Sequence, residues 1–571
     1  MSIKSNNHRY RKSIILSIYI LLILLVFFRY FKLQILDYSK YQEKAGNNSL
    51  RRIELEAPRG IIYDLNDKPI VDNKFIYDLN IIPKDFDSKT FNYDLMYKIA
   101  DINRSTIDSI VSFNSTSIKK FKPVLIGRNI NLETKSKLEE NKLDLKGLYF
   151  SNSQIRTYMM DCNLSHVLGY LRKKESLIGF SGVEKYYQNE LKGINGIEYH
   201  KVDRFSIDQG IFDCDGNILP IQGDDLHLTI DSNLQSFSEK LMDDNVGSII
   251  VMNPESGEIL TMLSKPDYDL SSFAGEIPKK VWNEINNNSN KPFNNRAIQN
   301  YYPPGSIFKL VLSAIVLDKN LISKNRTINC NGVYDFYDTK FRCWKEDGHG
   351  KTNLNKALQQ SCNIYFYNLI QMIDFDMWSS EVRKFGFGNI TNIDLNGEKK
   401  GVVPDRQFMT NLYKDKGGWS AGHLLNLSIG QGEIMVTPIQ IGNLINIIQN
   451  EGYSMTPHLN KDNTVNKNII NYDKDVWKTI KQSMYDAVNK DKGTAYKAKI
   501  NKKGAKVYGK TGTAQICSNC DLLPHAWFAG FLELNKKKYS IVIIVENGGK
   551  GSNIPSIMAR KIFQYIADIN A

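Results

Sequence analysis

The feature that most constrains this chain is an uncharged run from Ser13 to Phe28, within HRYRKSIILSIYILLILLVFFRYFKLQI at 8–35. Arg9, Arg11 and Lys12 precede it. Arg29 and Lys32 follow, with stems long enough to snorkel while Phe31, Leu33 and Ile35 extend the apolar face. A bilayer core calls for roughly 20 apolar residues, so the span draws in Arg29 to Leu33. This predicts a cytoplasmic tail at 1–12 and a transmembrane anchor at 13–33. A cleaved signal peptide is the competing reading, but aromatic and basic residues follow the run where a cleavage site needs small ones. An uncleaved anchor is therefore expected. Positive charge ahead of the span keeps the N-terminus in the cytoplasm and sends the remaining chain to the far side.

That remainder is long enough, in a chain of 571 residues, for two to four domains with ample core. A hydrophobic share of 42% and an aromatic share of 11% fit a folded protein. The formal charge of +13 suits an anionic neighbour, lipid head groups or an acidic polymer, or else a solvated lysine surface. There is no zinc-finger spacing and no aromatic ribonucleoprotein motif, so no nucleic-acid partner is expected.

From Asp37 to about Gly223 the chain reads as mixed strands and short helices. APRGIIYDLNDKPIVDN at 57–73 is strand, turn, strand, with the turn at Asn66 and Asp67. GFSGVEKYYQNELKGINGIEYHKVD at 179–203 is a capped helix ending near Gly193, then a strand. Leu226 to Ile230 alternates as a short strand, and Asp231 to Leu241 reads as helix. From Val246 two apolar strands meet at a turn over Pro254 to Gly257. Helices are predicted over 306–319, 354–371 and 437–450. AKVYGKTGTAQI, HAWFAGFLEL and KYSIVIIVEN then form three successive strand patterns before a closing helix over about 553–568. Strands at both ends with helices between predict one sheet assembled from both ends of an α+β domain, with helices packed on it. The boundary before that domain falls near 225–245.

The chemistry starts at YYPPGSIFKL, 301–310. Pro303, Pro304 and Gly305 cannot continue a helix backwards, so Ser306 is expected in the first turn of the next one. Residues three apart share a helix face, which puts Lys309 beside the Ser306 hydroxyl. A serine needs a base to become a nucleophile, and a lysine whose pKa is lowered can be that base. The free amides of a helix N-terminus suit an oxyanion. Taken alone, the pattern reads first as a capping serine beside a snorkelling lysine. QQSCNIYF, with Ser361, Cys362 and Asn363, and YGKTGTAQ, with Lys510, Thr511, Gly512 and Thr513, remove that reading. S-x-x-K, S-x-N and K-T-G in this order are the signature of penicillin-binding proteins and class A β-lactamases.

On these motifs, and on APRGIIYDLND, GFSGVEKYYQNELKG, NPESGEILTMLS and HAWFAGF, nearly the whole chain resembles the class B penicillin-binding proteins, specifically the elongation-type penicillin-binding protein 2. The resemblance implies a single N-terminal transmembrane helix, an elongated pedestal of the dimerisation type over 34–225, and a serine β-lactamase/transpeptidase-like domain over 226–571. It implies a D,D-transpeptidase that cross-links peptidoglycan stem peptides during elongation and rod-shape maintenance, with residual D,D-carboxypeptidase activity. Ser306 would form the acyl-enzyme, Lys309 would be the base, and Ser361 and Asn363 would complete the proton path. Lys510, Thr511 and Thr513 would bind the donor carboxylate, and the amides of Ser306 and Thr513 would make the oxyanion hole. β-Lactams would acylate the same serine. A SEDS-family glycosyltransferase would be the partner, and the chain would sit in the inner membrane with its catalytic domain in the periplasm. Division-type enzymes share this chemistry. A non-catalytic β-lactam receptor or scaffold would tolerate loss of the motifs, and all three are intact. No E-x-x-L-N pattern lies between Asn363 and Lys510, so hydrolysis of β-lactams is disfavoured as the main task.

Seven cysteines, at 162, 214, 330, 343, 362, 517 and 520, leave at least one outside any disulfide. Cys330, Cys343, His349 and Cys362 offer three thiolates and one imidazole, a donor set for tetrahedral structural zinc at spacings wider than a zinc finger's. The resemblance supports zinc, since some penicillin-binding protein 2 relatives carry a site whose last ligand is the middle residue of S-x-N. A Cys330–Cys343 disulfide with Cys362 as a small core residue is the alternative, and both stay open. The purpose of C-x-x-C at Cys517 and Cys520 is open too.

Overall fold

The computed structural model describes residues 4–37, 50–115, 120, 123–173, 177–202, 208–275, 277–516 and 521–570. Cys517 and Cys520 lie outside the described residues. At the N-terminus a helix, Lys4–Phe31, runs unbroken through Arg29 into one π turn, Lys32–Leu36. The stretch Lys12–Leu36 is long and apolar enough to cross a membrane, and its side chains touch no core.

The chain divides into two compact units. The first comprises Met1–Pro58, Phe75–Gln154 and Gly193–Gln222. It holds an antiparallel sheet of Leu50–Leu55, Gly196–Val202 and Asp208–Ile211. Elsewhere in this unit the helices Tyr93–Ala100, Arg104–Phe113 and Leu132–Glu140 pack with the strand Val124–Ile130 around Leu79, Met96, Ile107 and Leu138. Asn92 and Asn131 cap two of these helices by accepting a backbone N–H three residues on.

The second unit comprises Arg59–Lys74, Ile155–Lys192 and Gly223–Ala571. Its turn over Asn66 and Asp67 is as predicted. The Asp64 carboxylate accepts the amides of Asn66 and Lys68, and Asp67 takes a left-handed φ of 56°. The helix predicted up to Gly193 is instead two short ones, Gly182–Tyr186 and Gln188–Leu191. The interruption is Tyr187, whose hydroxyl is drawn to the buried Asp394 carboxylate at 2.7 Å.

The centre of this unit is one antiparallel sheet, ordered Ile259–Lys265, Gly247–Met252, Lys537–Val545, His525–Leu534, Ala505–Ala514. N-terminal and C-terminal strands thus share a sheet, as the alternation of elements predicts. Period-two patterning explains why both faces are covered. Trp527, Ala529, Phe531, Val542 and Ile544 point to a core with the helices Lys309–Asp318, Asn363–Ile370 and Pro438–Gln449. Ala526, Phe528, Leu532, Ile541, Ile543 and Val545 point to the other, built with Ser232–Met242 and Ile554–Ile569. Within Lys309–Asp318, Leu310, Val311, Leu312 and Ile315 are all fully buried, each worth roughly 1.5–3 kcal/mol relative to exposure. This helix is anchored by packing and leaves its N-terminal end to position chemistry.

A buried ionic cluster ties two segments of the same unit, Arg59–Lys74 and Ile155–Lys192. Glu184 bonds Arg59 Nη2 through Oε2 and Arg156 Nε through Oε1, both at 2.7 Å. Arg156 also donates to Asn73 Oδ1 at 3.1 Å, and Asn73 donates to the Arg59 carbonyl at 2.6 Å. Burial pushes the Glu184 pKa up, but Arg156 and Arg59 override it and hold the carboxyl below its ordinary value. Removing the carboxylate strands two buried cations. Glu184→Gln is therefore expected to lower unfolding stability by about 3–5 kcal/mol, read from urea or thermal unfolding of the detergent-solubilised protein. A loss below about 1 kcal/mol would contradict it.

Candidate active site

Ser306 sits at the mouth of the helix Lys309–Asp318, but in a 3₁₀ turn, Gly305–Ile307, and not in the first α-turn that the sequence predicts. The cause is Gly305. Its φ of 53° is left-handed, and its amide donates to the Gly430 carbonyl at 2.9 Å. A Cβ there would come within 2.8 Å of the Thr513 carbonyl oxygen, so only glycine lets the serine turn approach the edge strand this closely. Ser306 is half-buried, and its hydroxyl has no hydrogen-bond partner among the described residues.

One turn on, Lys309 is fully buried. Its Nζ donates to Asn363 Oδ1 at 2.8 Å, to the Ser361 carbonyl at 2.9 Å and to Ser361 Oγ at 3.3 Å. From the opposite side Lys510, equally buried, donates to Ser361 Oγ at 3.0 Å and to the Thr511 carbonyl at 3.0 Å. The structure thus brings Lys309, Ser361, Asn363 and Lys510 together around one hydroxyl. Burial lowers the Lys309 pKa to about 8, partly opposed by the thiols of Cys362 and Cys343. Burial, then the neighbouring Lys309, drives Lys510 well below the usual lysine range. Two ammonium groups sharing one oxygen in a dry site cannot both keep their protons near neutrality.

The helix predicted over 354–371 is broken at this point. Leu354–Gln359 and Asn363–Ile370 are separate, and Ser361 between them adopts a left-handed φ of 56°. A continuous helix would not turn both its carbonyl and its hydroxyl toward Lys309. The K-T-G residues lie in the strand Ala505–Ala514 as predicted, but the pleat divides them. Lys510 and Gly512 are paired opposite Ala529 and Trp527, on the face toward Ser361, whereas Thr511 and Thr513 alternate to the other face. Gly512 is a glycine because a Cβ would meet the Pro304 carbonyl at 2.9 Å. Thr513 Oγ1 accepts the Gly551 amide at 3.4 Å, and the Thr513 carbonyl accepts Gln431 Nε2 at 2.9 Å. Gln431 was not singled out from the sequence. It lies in IGQG, and only the fold shows that this loop braces both Gly305 and Thr513.

Beside Asn363 the four predicted metal-ligating residues converge. Cys330, Cys343, His349 and Cys362 are all buried, with their ligand atoms within 4.8 Å of one another. His349 Nδ1 lies 3.5 Å from both the Cys330 and Cys343 sulfurs, and none of the three thiols is in a disulfide. Hydrogen bonding from Cys362, with His349 and the Asn363 amide adding to it, outweighs burial and holds the Cys343 thiol pKa far below that of an ordinary thiol. The donor set and its convergence fit a tetrahedral zinc, whose thiolate ligands would sit about 3.8 Å apart at Zn–S distances of about 2.3 Å.

The chain matches two family profiles, the penicillin-binding protein dimerisation domain at 54–228 and the penicillin-binding protein transpeptidase domain at 247–564. It is 28% identical to the peptidoglycan D,D-transpeptidase MrdA of Haemophilus influenzae, over 97% of this chain and 91% of that protein. The MrdA of Escherichia coli K12 is also 28% identical, over 94% of this chain and 90% of that protein. Among solved structures, penicillin-binding protein 2 of Helicobacter pylori in complex with MreC superposes with a TM-score of 0.78 at 28% identity, covering 91% of this chain and 99% of that one. With a transpeptidase profile over more than half its length, a dimerisation profile ahead of it and this motif geometry, the chain belongs to the penicillin-binding protein transpeptidase family, in its penicillin-binding protein 2 branch.

Proposed function

We propose that this chain is a membrane-anchored peptidoglycan D,D-transpeptidase of the elongation type, acting through an acyl-enzyme on Ser306. The observation that carries the reading is the convergence of Lys309 and Lys510 on Ser361 Oγ one helical turn behind Ser306. Lys309, in its neutral form, takes the Ser306 proton as Oγ attacks the carbonyl carbon of the penultimate D-alanine. The oxyanion accepts from the backbone amides of Ser306 and Thr513. Collapse breaks the amide C–N bond, and the leaving nitrogen takes its proton along the Lys309–Ser361 path as terminal D-alanine departs. Asn363 holds Lys309 and the substrate amide. The hydroxyls of Thr511 and Thr513, on the strand face opposite Lys510 and Gly512, receive the donor carboxylate. The amine of a second stem then attacks the ester, which forms the cross-link and frees Ser306. β-Lactams acylate the same oxygen and are not turned over.

Zinc belongs to this reading as a structural metal, held by Cys330, Cys343, His349 and Cys362. Held by these four residues, it would supply a rigid tie between the 330–349 loop and the S-x-N turn and take no part in the chemistry. Basic Arg9, Arg11 and Lys12 ahead of the span orient the N-terminus to the cytoplasm and the catalytic unit to the periplasm. The relative from Helicobacter pylori was solved with MreC. For this chain, a place in the elongation machinery beside a SEDS-family glycosyltransferase is the corresponding assignment.

Fluorescent penicillin should label the solubilised protein stably, and Ser306→Ala should be dark; labelling that persists in Ser306→Ala sinks the acyl-enzyme. Because the Lys309 pKa is lowered and its neutral form is the active one, acylation should speed up as pH rises through about 8 and then level off. A rate that falls over this interval rules out Lys309 as base. Elemental analysis should find about one zinc per chain, lowered in Cys343→Ser; a metal-free preparation that acylates normally and melts unchanged would remove zinc from the account.

A further inference from the structure

We infer that Trp344 is a positioning residue for acylation: its indole N–H holds the Ser361 carbonyl and so keeps Ser361 and Lys309 in register. The inference rests on the transpeptidase reading above. Trp344 Nε1 donates to the carbonyls of Gln360 and Ser361, both at 3.0 Å. The Ser361 carbonyl is therefore shared between the indole and the Lys309 ammonium. A left-handed backbone at a residue other than glycine costs energy and persists only where its surroundings over-determine it. At Ser361 those surroundings are few. Lys309 and Lys510 hold the hydroxyl, the Cys362 amide bonds the Ala357 carbonyl at 2.9 Å, and Lys309 and Trp344 hold the carbonyl.

Burial does not explain where the indole sits, since Trp344 is 57% exposed. Its two hydrogen bonds and an edge contact with His349, at 5.4 Å between ring centroids, account for its placement. Trp344 also follows Cys343, whose sulfur accepts the Asn363 amide at 3.4 Å. Two consecutive residues of the 330–349 loop thus grip the S-x-N turn on both sides, one at Ser361 and one at Asn363. Without the N–H, the 361 peptide is free to relax from its left-handed state and draw Oγ away from both lysines.

The test is saturation kinetics of acylation by fluorescent penicillin, on the full chain in detergent, for wild type, Trp344→Phe, Trp344→Ala and Ser306→Ala. Both Trp344 variants should lose roughly three- to tenfold in the first-order acylation constant, the size of one net hydrogen bond. Their half-saturating concentrations should stay within about twofold of wild type, because the N–H acts on the chemical step. An equal loss in both variants marks the N–H as the cause. If Trp344→Phe acylates like wild type, with or without a defect in Trp344→Ala, or if only half-saturation moves, the inference is overturned while the Ser306 reading stands. Labelling of Ser306→Ala would overturn both. Trp344→Tyr replaces Trp344→Phe should the latter not fold. As an independent readout, the fluorescence difference between wild type and Trp344→Phe should change on acylation by a non-fluorescent β-lactam, and a difference that does not respond counts against the inference.

Discussion

A single hydroxyl held between two buried ammonium groups organises this protein. Ser361 Oγ receives Lys309 from a helix and Lys510 from a strand. Taking two cations out of water is expensive, and it is tolerated only where each finds acceptors and one can shed its proton. Carbonyls at Ser361 and Thr511 and the Asn363 amide oxygen provide the acceptors. The lowered lysine pKa values are the electrostatic price of burial, and the same lowering makes a lysine useful as a base. Chemistry and desolvation are one arrangement seen from two sides.

Such an arrangement needs a rigid frame, because small displacements at a site of this kind cost rate steeply. The frame is the five-stranded sheet with helices on both faces, whose alternating side chains feed two separate cores. Lys510 is carried on an edge strand whose partner is the aromatic-rich His525–Leu534, and Lys309 on a helix buried almost all round. The loop with Cys330, Cys343 and His349 then reaches the S-x-N turn, the third motif segment beside the other two.

Much of this was legible in the residues. The turn at Asn66 and Asp67, the paired strands around Pro254 to Gly257, and the three C-terminal strands all follow from local rules, period-two apolarity bounded by turn residues. The order of S-x-x-K, S-x-N and K-T-G named the chemistry, and the ligand types of the Cys/His set drew it as a cluster before any coordinates. Other features were not legible because they depend on partners distant in sequence. The 3₁₀ turn at Ser306 comes from Gly305 bonding to Gly430. The break at Ser361 comes from lysines 52 and 149 residues away pulling on it. Apolar periodicity over 354–371 reports a helix and cannot report the hinge within it.

The amino-acid sequence by itself determined the long apolar segment at the N-terminus, the order of elements and the side-chain types in the three motifs, because these rest on hydropathy, local backbone preference and side-chain chemistry. Only the tertiary structure decided that Lys510 faces Ser361 while Thr511 and Thr513 turn away, that Gln431 braces the serine turn, and that Trp344 shares a carbonyl with Lys309. Pleat direction is set by which face of a strand the core claims, and a hydrogen bond between distant residues exists only once packing has brought its donor and acceptor together.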